Sequence, residues 1–458
     1  MSFYGEARIS ASPRDDIPSS CMTDASANRL VYESLLSTIQ QEAFQYFWRE
    51  VNPENGLIAD STKPNSPASI AAVGFALTVY PVAVERGWIT RSEAIACTRA
   101  TLRFFWESPQ GRDPDATGYK GFYYHFLDMQ TGRRAWQCEL STIDTTLLIA
   151  GALTAAAYFD CDDSVEEEIR TLAEELYQRI DWQWALNGGK AVALGWKPES
   201  GFIKYRWLGY SEAIILYVLG LASPTHPLPA ESYDTWLSTY RWKKIYGYGH
   251  VYAGPLFIHQ FSHGWIDFRG LQDAYMREKG IDYFENSRRA TYVQQEYAIR
   301  NPRGFVGYHA TCWGITASDG PGNHTLQLNG RERRFWDYRA RGVPFGPDDG
   351  TLSPWAVIAS LPFAPEIVLP TIQFITDLHR RERQSDGFEC SFNPTYPATD
   401  HSSLGWVSPM HIGLDEGPIV LMIENHRTEI IWRLMKQCPY IVCGLQKAGF
   451  TGGWLDSG

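Results

Sequence analysis

No two of the eight cysteines (Cys21, Cys97, Cys138, Cys161, Cys312, Cys390, Cys438, Cys443) form a CxxC pair in this 458-residue chain. A zinc ribbon is thereby excluded, and a disulfide scaffold is not expected in a chain this long, so buried free thiols are the expectation. No apolar run reaches about 18 residues, so no membrane-spanning helix and no membrane partner are expected. Met1 to Thr23 lacks a basic segment followed by an apolar one, the mark of a secretory leader. The expectation is a soluble protein, cytoplasmic by default, with the periplasm as the alternative. Basic residues are in the minority, 41 Lys and Arg against 52 Asp and Glu, for a formal net charge of −11. That balance argues against nucleic acid as a partner, because phosphate binding needs basic surface. Oligomeric state is not specified by any of these features.

Other signatures are missing too. There is no P-loop and no dinucleotide fingerprint. Gly209-Tyr210-Ser211-Glu212-Ala213 is one residue short of a nucleophile elbow and lacks a preceding strand, which excludes a serine hydrolase of that type. His259 and His263 have the spacing of a helical metal pair, but no third ligand accompanies them. Neither a metal nor a cofactor is expected. No β-α-β alternation occurs, and no low-complexity linker divides residues 29–454.

Helical periodicity is abundant. Arg29–Glu50 repeats apolar residues three and four apart. Ser66-Pro67 predicts a cap and first turn for a helix running to Glu85, and Thr90-Arg91-Ser92-Glu93 predicts a capping box for a helix running to Trp106. Further helices are predicted over 142–159, 164–181, 211–222, 231–241, 265–279, 282–300, 354–361, 366–382 and 418–435, with another near 308–318. Short strand-like pieces at Phe122–Leu127, Ala191–Leu194 and Phe202–Tyr205 lie in the connections. Ile143–Ala157 and Ala213–Leu221 are apolar on all sides, as inner helices should be, whereas Val165–Arg179 is amphipathic and acidic. A dozen such helices in successive hairpins predict an all-α fold, an (α/α)6 toroid with short β-hairpins in its connections. Residues 1–27 are expected as a loose polar arm and 28–458 as one catalytic domain.

Acidic residues recur where these helices begin: Asp144 after Ser141, Glu212 after Tyr210, Asp348 and Asp349, and Asp415. If the inner helices share an end, the acids converge there. Aromatic residues make up 14% of the chain, with 17 Trp, enough to leave several for stacking on sugar faces beyond those used in a core. Clustered carboxylates with aromatic walls are what cleavage of a glycosidic bond needs. Taken singly, each acid has a plainer role, Asp144 closing a capping box and Glu212 answering the helix dipole. Aromatic and apolar neighbours, such as Trp207 and Tyr210 beside Glu212, raise a carboxyl pKa toward that of a general acid. The run His259-Gln260-Phe261-Ser262-His263-Gly264-Trp265-Ile266-Asp267-Phe268-Arg269 fits no clean period and is expected as a loop donating hydrogen bonds to sugar hydroxyls.

Six separated motifs carry a resemblance. They are Glu139–Thr145, Tyr210–His226, His259–Arg269, Thr316–Pro321, Asp349–Thr351 with Ser360–Glu366, and Gly413–Ile419 with Ile423–Asn425. In this order, from about residue 35 to Trp454, the chain resembles the bacterial glycoamylase-like family. That family includes endo-β-1,2-glucanases and is similar to the C-terminal domain of cyclic β-1,2-glucan synthases. The resemblance implies an (α/α)6 toroid, and by position it points to Glu212 and Asp144. In the glucanase branch a glutamate stands at the position of Asp144 and a further carboxylate at that of Ser141. This chain departs at both, with Glu139 the nearest substitute.

The expectation is a glycoside hydrolase or transglycosylase acting on an oligo- or polysaccharide, a β-linked glucan and foremost β-1,2-glucan. Glu212 is the first candidate acid/base, with Asp144 or Glu139 as its partner. Trp136, Tyr210, His259, Gln260, His263, Trp265, Asp267, Arg269, Trp313, Asp319, Asp349 and Asp415 are the candidate sugar-binding residues. Two alternatives stay open: a sugar isomerase or epimerase using His259, His263 and His309, and a glucan-binding protein without catalysis.

Overall fold

The computed structural model describes residues 19–383, 388–397 and 402–456 and is mostly helical, with few and short strands. Helix α1 (Ser19–Arg49) begins directly after Pro18 and contains neither Gly nor Pro. Nothing in that composition stops a helix, and the helix takes in residues 19–27 of the expected arm; residues 1–18 lie outside the described residues. Helix α2 (Ile70–Glu85) starts later than Ser66-Pro67 predicts. Ala68–Ser69 pairs instead with Phe126–Leu127 as a short ribbon, and Ser69 caps the helix by accepting from the Ala72 N–H. Helix α3 (Arg91–Glu107) has the expected capping box between Thr90 and Glu93.

Helix α4 (Thr142–Tyr158) is buried along nearly its whole length, and α5 (Ser164–Gln178), capped by Asp163, is amphipathic. A single turn α6 (Trp182–Ala185) precedes α7 (Ile214–Ala222) and α8 (Glu231–Leu237). The predicted helix over 265–279 shrinks to α9 (Ala274–Lys279), because Gly270 adopts φ +75° and interrupts the run. Two 3₁₀ turns, Leu256–His259 and Phe261–Gly264, come before it. After α10 (Tyr283–Arg300), the segment 308–318 is not helical: Gly307 precedes it at φ +86°, Gly314 interrupts it at φ +119°, and His309 bridges Cys312. Helices α11 (Pro354–Ile358) and α12 (Pro365–Arg383) follow. The predicted 418–435 becomes two helices, α13 (Gly413–Arg427) and α14 (Ile430–Gln437), divided at Glu429 with φ +60°; a last helix, α15 (Pro439–Lys447), was not expected.

Helix α2 lies against α4 and α13, α4 also against α5 and α14, and α7 against α15. The α2–α4 crossing is close because both helices present glycine there; a Cβ on Gly151 would sit 2.0 Å from the Gly74 carbonyl oxygen. Helices α2, α4, α7 and α13 are buried on most faces and carry the core, while α3 and α5 keep a wet side.

A five-stranded antiparallel sheet runs in the order Gly118–Tyr119, Phe122–Tyr124, Leu140–Ser141, Gly195–Lys197, Gly201–Phe202; of the predicted pieces it takes in Phe122–Tyr124 and Phe202, while Ala191–Leu194 makes only an isolated bridge from Ala193 to Arg206. The hairpins Trp242–Ile245/Tyr248–Val251 and His324–Leu328/Arg331–Phe335 were not expected. The second turns at Asn329-Gly330, both at positive φ, a strong hairpin signal. No helix among the described residues is long and apolar enough to cross a membrane. Cys97, Cys138, Cys161, Cys312, Cys390, Cys438 and Cys443 are free thiols.

Candidate active site

A cavity of about 600 Å³ opens where α4, α13 and the turn before α7 meet the five-stranded sheet. Its size is that of a small-molecule site. Asp60, Glu139, Asp144, Glu212, Asp319, Asp337 and Asp415 line it, together with His125 and Lys63; Phe126, Trp136, Trp207, Phe257, Phe261 and Trp355 form its apolar walls.

The chain places these acids by simple means. Asp144 is the third residue of α4, and Ser141 caps that helix while donating its Oγ proton to Asp144 Oδ2 at 2.5 Å. Asp415 is the third residue of α13. The neighbouring Asp60 loop is tied to that helix start, since the Gly413 N–H donates to the Asp60 carbonyl at 2.9 Å. Glu212 stands two residues before α7, a helix without a side-chain cap of its own. Ser262 fills that role from a distant turn: its Oγ donates to the Glu212 carbonyl at 2.7 Å and accepts from the Ile215 N–H at 3.3 Å. Ser262→Ala is therefore expected to lower kcat about tenfold through a displaced Glu212, with a much smaller effect on KM. Steady-state kinetics on the folded variant check this; a change in KM alone would count against the positioning role.

Strand register delivers the one imidazole of the cavity. The His125 N–H donates to the Glu139 carbonyl at 3.0 Å, so their side chains leave the sheet side by side. His125 Nδ1 meets Glu139 Oε1 at 3.1 Å, and Nε2 faces Asp144 Oδ2 at 3.6 Å. Burial opposes charge on the imidazole, but Asp144, the Glu139 hydrogen bond and Asp60 outweigh it and raise His125 to about 9. The same hydrogen bond from His125 pulls Glu139 down to about 2 against its burial.

Other acids in the cavity shift the opposite way. Burial, reinforced by the charge of Asp144, raises Glu212 to about 7 despite a hydrogen bond from its own backbone. Burial and the nearby Asp144 raise Asp60 to about 6, with His125 and Lys63 opposing. Burial also pushes Asp319 up, and Asp415 well above the usual carboxylate range; Asp415 Oδ2 has no hydrogen-bond partner. Two populations of carboxyl group thus share one cavity, one held ionised by a cation and one held protonated by burial. That separation is how acid and base roles are divided among like side chains.

Of the predicted site residues, Glu212, Asp144, Glu139, Trp136, Asp319 and Asp415 meet at the cavity. The others lie elsewhere. Asp349 is fully buried in an ion pair with Arg341 at 2.7 Å, and Asp348 accepts hydrogen bonds from Tyr297 and Tyr308. Both precede α11 by several residues, so no helix start carries them to the cavity.

The 259–269 run folds inward, because its 3₁₀ turns bury it behind the wall made by Phe257 and Phe261. His259 is paired to the Ala253 carbonyl, Gln260 to Ala356 and Ser360, and His263 to Ser287. Trp265 donates to Thr78, and Asp267 is held by Arg269 and Lys436, with Arg269 also on Glu429. Tyr210 packs on His259 and Tyr283, and Trp313 donates to Thr371. Burial drops His259 and His263 to about 3, so both are neutral.

Sequence reasoning missed His125, Asp60, Lys63 and Asp337 as cavity residues and named Trp207 only as a neighbour of Glu212. The strand Phe122–Leu127 was legible, and a His in an aromatic strand was its available signal. Asp60 lies in a turn with no periodicity to mark it.

A family model for glycoamylase, described as "Putative glucoamylase", matches residues 204–439, just over half of the chain. The chain belongs to this glycoamylase family. Its relatives include an exo β-1,2-glucooligosaccharide sophorohydrolase (non-reducing end) of Parabacteroides distasonis, 28% identical over 91% of this chain. The chain spans 58% of that relative's length. Among solved structures, the endo-β-1,2-glucanase of Chitinophaga pinensis, in complex with sophorotriose and glucose, superposes with a TM-score of 0.77 at 26% identity, covering 92% of this chain and 98% of that one. A β-1,2-glucanase of Parabacteroides distasonis gives a TM-score of 0.78 at 26% identity over 91% of this chain and 60% of that one. As a glycoamylase-family cavity, the site thus combines acids in two charge states with aromatic walls.

Proposed function

We propose that this chain hydrolyses β-1,2-glucan, with Glu212 as general acid. The observation that carries the proposal is the Glu212 carboxyl, raised to about 7 in an aromatic-walled cavity that also holds Glu139, which a protonated His125 keeps ionised. Glu212 gives its proton to the glycosidic oxygen as the bond to the anomeric carbon breaks. An ionised carboxylate then supports the oxocarbenium-like centre or takes a proton from the incoming water, whose hydroxyl completes the new reducing end. Asp144 is the better partner. Glu139, at about 2, is a weak proton acceptor and acts as the residue that holds His125 in place. The names of the family relatives supply the linkage. We further propose that the helices close as an (α/α)6 toroid, and that residues 28–458 form one catalytic domain.

Two observations favour hydrolysis over the alternatives. An isomerase of this kind would place paired histidines in the cavity, but His259 and His263 are buried behind its wall, and His309 packs on Phe374. A binding protein would have its acids tied up as caps, but α7 has no side-chain cap. The test is the release of reducing ends from linear β-1,2-glucan. The expected result is cleavage of this polymer and none of β-1,3- or β-1,4-glucan. Absence of cleavage would overturn the proposal, and binding without cleavage would favour the non-catalytic alternative.

A further inference from the structure

A second, wider depression adjoins the cavity. Its volume is about 860 Å³, and it shares Ser61, Lys63 and Trp136 with the cavity as common lining. Arg49, Asn65 and Gln130 lie along the part that the cavity does not reach. Lys63 forms no ion pair among the described residues and stands exposed on the boundary between the two spaces.

Trp136 is the hinge of this geometry. It is 67% exposed, an unusual position for an indole. Trp136 and Gln137 are both in the left-handed region, at φ +54° and +49°, which L side chains seldom adopt. Neighbours hold the turn there: Arg134 donates to the carbonyls of Gln137 and Cys138, and Lys197 donates to that of Gln137. The held turn turns the indole out of the core. Its ring leans on Phe126 at 5.0 Å, and Phe126 stacks on His125 at 3.9 Å. A continuous aromatic path therefore runs from the protonated imidazole at the cavity floor to the rim.

We propose that this outer groove binds glucose units of the glucan chain beyond those in the cavity, with Trp136 as the stacking platform at the junction. A flat indole face suits the apolar face of a pyranose, and unpaired polar side chains suit its hydroxyls. The groove then makes the protein a reader of chain length, favouring long glucan over short oligosaccharides. This inference rests on the glucan-hydrolase function proposed above.

The test is KM measured on β-1,2-gluco-oligosaccharides of increasing length and on the polymer, for the wild type, Trp136→Ala and Trp136→Phe. For Trp136→Ala the expected KM rises about tenfold on the polymer but only about twofold on the shortest cleaved oligosaccharide. Trp136→Phe restores part of the difference. An equal rise at every length, or no rise at any length, in an otherwise active enzyme overturns the groove proposal alone. A wild type that cleaves none of the series overturns the function, and the groove proposal with it.

Discussion

Glu212→Gln is expected to cut turnover of β-1,2-glucan by roughly 10²–10⁴-fold, the usual contribution of a general acid, and to raise thermal stability at pH 8. The second half separates a catalytic acid from a helix-start acid. The folded protein holds Glu212 at about 7, above its ordinary value of 4.5. It therefore binds the proton more tightly than the unfolded chain. Stability falls as pH climbs from about 4.5 to about 7, and the deficit persists above that. Glutamine carries no charge and removes the deficit, worth at most about 3 kcal/mol and less in proportion to solvent access at the cavity mouth. If Glu212 served only the dipole of α7, the same change would cost about 0.3–1 kcal/mol instead. Melting curves at pH 4.5 and pH 8, beside the reducing-end assay, give the answer. A variant that is less stable than the wild type at pH 8 and still turns over would remove Glu212 from the mechanism.

The parts of the fold that were legible in the sequence are those where one signal acts alone. Thr90 and Glu93 make a capping box because nothing competes for that turn. The all-apolar runs of α4 and α7 could be placed because only an interior accommodates them. Where two local signals compete, the tertiary partner decides, and the partner is not written nearby. Ser66-Pro67 is a good helix start, yet Ala68 and Ser69 are drawn into pairing with Leu127 and Phe126, and the cap moves to Ser69. Glycine at positive φ shortened the helix predicted at 265–279 and interrupts the segment 308–318, which forms none.

The candidate site divides along the same line. Asp144 and Asp415 were legible because helix starts are local and both helices end at one cavity. Glu212 was legible by the same reasoning, although its helix begins two residues later and depends on Ser262. Asp349 looks identical in sequence terms, a carboxylate ahead of an apolar helix. Its fate was set by Arg341, a buried cation only eight residues away that needed a counter-charge. The 259–269 run misled because polar and aromatic residues without a period suit a ligand loop and a buried hydrogen-bonded turn equally well. His259, Gln260 and His263 each found an internal partner, which burial demands of polar groups. His125 could not be found as a site residue without strand register, since its importance comes from standing beside Glu139 and opposite Asp144.

His125→Gln is expected to lower kcat/KM about 100-fold at the optimum and to narrow the pH profile from its acidic side. The wild-type profile should be bell-shaped. Its basic limb lies near pH 7, where Glu212 loses the proton it must donate. Its acidic limb lies well below, because protonated His125 favours the ionised form of Glu139 at 3.1 Å and stands 3.6 Å from Asp144. Lys63 lines the same cavity, as do Asp60, Asp319 and Asp415, whose burial favours the protonated form. Glutamine can still donate a hydrogen bond to Glu139 but brings no charge, so the carboxyls repel one another and take up protons at higher pH. The acidic limb then moves toward the basic one, and the fraction of enzyme with Glu212 protonated and its partner carboxylate ready to act shrinks. Stability supplies an independent readout. The folded state raises His125 from 6.5 to about 9, so its contribution is whole below about pH 6.5 and is lost as pH rises through about 9. The melting temperatures of wild type and His125→Gln should differ most near pH 6 and approach one another near pH 9.5. A variant whose pH–rate limbs coincide with those of the wild type, and whose melting deficit is the same at both pH values, would show that His125 carries no charge in the folded protein.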